Sequence, residues 1–101
     1  MAPATIAPQA RRELLAAANW ISGDSPHAAL KLTDVMLAAA DALGRNAHLG
    51  QEQPDLVRPP FRLFRMTGFP YVLVYDPTRK PPVIARMLHG ARDLADIPKS
   101  L

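Results

Sequence analysis

Residues 71–75, Tyr71-Val72-Leu73-Val74-Tyr75, are apolar without a break. Side chains on a strand point to opposite faces at successive residues, so a half-buried strand alternates apolar with polar. An unbroken apolar run of strand length predicts instead a central strand covered on both faces. Its neighbours have strand texture too. FRLFRMT (61–67) reads as the strand before it, joined by a turn at Gly68-Phe69-Pro70. YVLVYD (71–76) is followed by a turn over Pro77 to Pro82, and VIARMLH (83–89) is the next strand, ended by Gly90. The C-terminal half is therefore a three-stranded antiparallel meander, with a tail, ARDLADIPKSL, able to form one helical turn.

The N-terminal half is helical. Ala4 to Ala7 is a short strand candidate flanked by Pro3 and Pro8. Pro8 suits the first turn of a helix, where its missing N–H costs nothing. Leu14, Ala18 and Ile21 recur at helical spacing with Leu15 and Trp20 beside them, which predicts an amphipathic helix over 8–22, stopped at Gly23-Asp24. Ala7 cannot accept the free N–H groups of that helix, an omission worth about 1 kcal/mol of fraying. Ser25-Pro26 opens a second helix as cap and first residue. Its apolar face is Leu32, Val35, Met36, Ala39 and Leu43, with Lys31, Asp34 and Asp41 opposite, and Gly44 is its expected stop. So short a connection predicts an antiparallel helical hairpin. Residues 45–60 hold three prolines and no periodicity, and read as a loop. The expected architecture is one α+β domain over 1–101, two layers in the order β-α-α-β-β-β, with the hairpin packed on an antiparallel sheet. Trp20, Leu73 and Leu88 are expected core residues.

Charge is unevenly spread. Residues 58–101 hold eight Lys and Arg against three acids, whereas residues 1–57 hold four against six. A basic half suits an acidic partner. The absence of cysteine excludes disulfides, thiolate metal sites and cysteine nucleophiles. No apolar run reaches membrane-spanning length, and the N-terminus lacks a signal-peptide core, so a cytoplasmic protein with no membrane partner is expected.

The residues able to carry chemistry gather near the last strand. His89 has a side chain suited to proton transfer near neutral pH; its structural alternative is a ring that hydrogen-bonds the turn at Gly90-Ala91. Arg86 and Arg92 could grip a phosphoryl group or carboxylate, or could pair with Asp93 or Asp96 on the tail. Alternation turns Arg86 and His89 to opposite faces, so a shared active site needs a bulge or the strand's end. Arg62 and Arg65 stand on the first meander strand, as surface or as part of a functional basic face. His27 and His48 have no second ligand at i+3 or i+4, and no metal site or cofactor is expected.

The chain resembles the RelE/ParE superfamily of type II toxin–antitoxin toxins, and within it the ParE branch. The resemblance is carried by Ile6-Ala7-Pro8, Trp20-Ile21, Ser25-Pro26, the exit from Leu43-Gly44 to Leu49-Gly50, Phe61-Arg62, Tyr71 to Tyr75, and above all Arg86-Met87-Leu88-His89-Gly90-Ala91-Arg92-Asp93-Leu94. It implies a cytoplasmic toxin, held in a hetero-oligomer by a cognate ParD-like antitoxin, with DNA gyrase as target and no catalysis of its own. Arg86, Arg92, Arg62 and Arg65 are then target-binding candidates. The superfamily's other activity, ribosome-dependent mRNA cleavage, would fall to His89 with Arg86 and Arg65, since no tyrosine follows Tyr75. A non-toxic basic binding module is a third reading. An apolar groove on the sheet face left bare by the helices is the expected seat of the antitoxin.

Overall fold

The computed structural model describes residues 2–97. The elements are β1 (Thr5–Ile6), α1 (Pro8–Ser22), α2 (Pro26–Arg45), β2 (Arg62–Arg65), β3 (Tyr71–Asp76), β4 (Val83–His89) and a 3-10 turn (Leu94–Asp96). They form a four-stranded sheet in the order β1-β4-β3-β2. β2, β3 and β4 make the expected antiparallel meander. β1 lies parallel to β4, pairing Thr5 with Val83 and Ile6 with Ile84, so the sheet is mixed rather than wholly antiparallel. The reason lies in the connections: the two helices carry the chain from β1 at one edge to β2 at the other, running in the same direction, and the two reversals of the meander bring β4 back beside β1 in that direction.

β3 is central, and Val72, Leu73, Val74 and Tyr75 are all buried. On one face, Leu73, Tyr75, Ile84 and Met87 pack against Leu14, Leu32, Met36 and Leu43 of the hairpin. On the other, Leu63, Val72, Val74 and Leu88 are covered by Val57 and flanked by Leu56, Phe61, Leu94 and Ile97. The second face is therefore not a bare groove. The loop after α2 and the C-terminal tail close it, because leaving those four side chains in water would forfeit their burial free energy. Tyr75 anchors the loop: its hydroxyl donates to Ala47 O at 2.8 Å and accepts from the Gly50 N–H at 2.8 Å. The register shifts between Val74 and Tyr75, which face Arg86 and Ile84, so Ala85 is an extra residue on β4.

The helices start and stop for local reasons. Ser25 caps α2 by accepting the Ala28 N–H at 3.1 Å. Ala7 caps nothing with its side chain, but its own N–H donates to Ile84 O at 2.9 Å, so the start of α1 is held by the sheet. Gly44, the expected stop of α2, lies inside the helix and is buried. Its role is close approach: a Cβ there would overlap the Ala2 carbonyl oxygen and come within 2.7 Å of Pro3 Cα. The helix ends one residue later, with Asn46 as cap. Trp20 is not a core residue; it is 83% exposed. The buried line of α1 runs through Ala10 and Leu14 towards Ala17, Ala18 and Ile21. Trp20 is one residue, roughly 100° of helix, off that line.

Candidate functional site

Beyond Ile84, β4 has no strand on its outer side among the described residues, because β1 stops at Ile6. Exposed edge amides invite pairing with another chain. Here carboxylates take them. Glu13 of α1 accepts the Met87 N–H on Oε1 at 2.9 Å. Its Oε2 accepts Arg86 Nε at 2.9 Å and Nη2 at 2.7 Å. Asp93 accepts the His89 N–H on Oδ2 at 3.1 Å, and the Asp93 N–H donates to His89 O at 2.8 Å.

His89 Nδ1 accepts from the N–H groups of Ala91 and Arg92, each at 3.2 Å. The ring is thus the structural clamp on the turn that was its alternative reading, and its proton sits on Nε2. It meets Tyr71 edge-to-face, with centroids 5.8 Å apart. His89 also lines a cleft of about 600 Å³ between α1 and the end of β4. Glu13, Trp20, Ile21, Tyr71, Met87 and Arg92 are among its other walls. Arg86 is not one of them: it shares its sheet face with Val74 and Leu88 and reaches round the edge to the back of Glu13. The bulge at Ala85 precedes Arg86, so the alternation that separates Arg86 from His89 is kept.

The remaining basic candidates divide in two. Arg62 donates from Nη1 to Gly50 O and from Nη2 to Glu52 Oε1, each at 3.0 Å, pinning the loop to β2. Arg65 and Arg92 are exposed. Arg92 comes no nearer to Asp93 Oδ2 than 4.0 Å. Arg65 lies beside Gly90, its Nη1 3.9 Å from where a Cβ on that glycine would stand. Burial pushes the Tyr75 hydroxyl above its ordinary value, against the pull of the Gly50 N–H and the Arg62 charge. The arrangement offers a cation and an aromatic rim around an apolar hollow. Among the described residues it does not bring a free base, an acid and a phosphate-binding cation to one point.

Glu13 is the residue that sequence reading missed. It adjoins the core residue Leu14, but its partners lie more than seventy positions away in sequence. No local spacing links them; only the packing of α1 against β4 does.

The profile of the ParE toxin of type II toxin-antitoxin system, parDE, matches residues 4–94. The chain is also similar to a Caulobacter vibrioides protein named Toxin RelE3, with 32% identity over 85 residues, 84% of this chain and 90% of that protein. The family match runs from β1 through the His89 turn.

Proposed function

Because the chain belongs to the ParE toxin family of type II toxin–antitoxin systems, whose toxins have an antitoxin partner, we propose that it is a cytoplasmic poison of DNA gyrase neutralised by a ParD-like antitoxin. One observation carries the choice of gyrase: the arginine and one of the two imidazole nitrogens that a ribonuclease would use are already engaged. Arg86 is bound to Glu13, and His89 Nδ1 is bound to two backbone amides. Cleavage of RNA needs a base, an acid and a cation around one phosphate. A gyrase poison needs only a surface that traps an enzyme intermediate. Arg65 and Arg92, both exposed, are the arginines best placed to offer it, with Arg62 and Arg86 supporting the framework around them.

The second reading, mRNA cleavage at the ribosome, is favoured by the name of the Caulobacter relative and by the presence of His89 and Arg92 in one cleft. Induction of the chain in bacteria separates the two. Under the gyrase reading, His89→Gln stays toxic, a DNA-damage response appears, supercoiling by gyrase is inhibited in vitro, and pre-existing mRNA continues to be translated. Codon-spaced cuts in a reporter mRNA that vanish with His89→Gln, together with normal supercoiling, would establish the ribonuclease reading instead.

A further inference from the structure

We propose that the cleft between α1 and the end of β4 receives an acidic segment of the antitoxin, seated by one apolar side chain against Trp20 and a carboxylate on Arg92, and not by strand addition. The proposal rests on the toxin–antitoxin reading and specifies where and how the partner is held.

Three features lead there. First, the chain has one tryptophan, and it is 83% exposed at the rim of the cleft. Tryptophan is among the residue types enriched at the energetic centres of protein interfaces. Trp20, Ile21, Ala17, Pro70, Tyr71 and Met87 give the hollow an apolar wall, and its volume of about 600 Å³ suits one or two large side chains of a partner.

Second, the charges of the cleft are unequally committed. Glu13 is engaged by Arg86 and the Met87 amide. Asp93 is engaged by the His89 amide. The Arg92 side chain is 72% exposed and makes only the 4.0 Å approach to Asp93 among the described side chains. It stands on the half of the chain that carries the positive surplus. An incoming carboxylate is therefore favoured over an incoming cation.

Third, the free edge of β4 is closed. The Met87 and His89 amides that an added strand would use already donate to Glu13 and Asp93. A peptide can enter this region by its side chains without breaking those bonds; as a strand it cannot.

Trp20 also reports on the test. The full chain is titrated with a cognate ParD-like antitoxin, stripped of any tryptophan of its own, while Trp20 emission is followed. The expected result is a shift to shorter wavelength on binding. Affinity should fall about 30-fold for Trp20→Ala and about 10-fold for Arg92→Glu. The Arg92→Glu complex should also lose part of its salt dependence. Leu37→Ala, on an exposed residue of α2 outside the cleft, should bind as the unaltered chain does. Tight binding with unchanged Trp20 emission, or equal affinity across the variants, overturns the cleft and leaves the toxin–antitoxin reading standing. Failure of the unaltered chain to bind the antitoxin overturns both. Should Trp20→Ala not fold, the emission shift of the unaltered chain and the Arg92→Glu affinity decide.

Discussion

Glu13 shows how a single side chain can join two distant parts of a fold. It satisfies an edge amide and holds a guanidinium whose side chain is only 21% exposed. Arg86→Ala removes two charge-assisted hydrogen bonds and leaves the carboxylate with one partner, so it should cost about 1–2 kcal/mol, partial exposure reducing the figure. Arg92→Ala, on an exposed side chain, should change stability by no more than about 0.5 kcal/mol. Denaturant melts of the two variants check the contrast; equal stability would mean that the Glu13 contact contributes nothing. Tyr75 gives a pH prediction. Its hydroxyl is held above its ordinary value of 10.0, mainly by burial. The unfolded chain then ionises this group at lower pH than the folded one. The stabilisation is fully present below pH 10 and is lost as the pH rises through the folded-state value. Tyr75→Phe should flatten that alkaline decline and cost about 1–3 kcal/mol at neutral pH, because the buried Gly50 N–H loses its partner. Stability measured across the alkaline range for both proteins tests it.

At the scale of the element, β3 carries the fold. Leu73 is fully buried beneath the helices, between neighbours on both strands. Leu73→Ala should cost about 2–5 kcal/mol through lost burial and an unfilled cavity, far more than either arginine variant, as a urea midpoint would reveal. Element boundaries were largely legible because their signals are local. The apolar run gave β3, the strand texture between the Pro77–Pro82 turn and Gly90 gave β4, and Ser25-Pro26 gave the start of α2. Gly44 was misread because a glycine near a helix end looks like a stop, whereas here the N-terminal segment crosses the helix against it. Trp20 was misread because a large apolar side chain next to a helical stripe is ordinarily part of it. Likewise the sheet's second face looked open, since a loop rich in proline gives no periodic sign that it lies over a sheet.

For the whole molecule, the proposed antitoxin binds the folded chain and should stabilise it by mass action. A saturating antitoxin at about 100 times its Kd should stabilise the chain by about 2.7 kcal/mol. The thermal midpoint should therefore rise with antitoxin concentration. An unchanged midpoint in excess antitoxin would remove the proposed partner.

The sequence by itself determined the class of the domain, the order of its elements and the family to which the chain belongs. The class and the order follow from apolar periodicity, caps and turns, each written within a few residues; the family follows from likeness to known toxins along nearly the whole chain. Only the tertiary structure decided that β1 runs parallel to β4, that Glu13 binds Arg86, that His89 clamps its own turn, and that Trp20 faces water at the rim of a cleft. These depend on which distant segments share space. Hydrogen bonds and apolar contacts across such distances leave no periodic trace along the chain, so they are settled when α1 docks on the edge of the sheet.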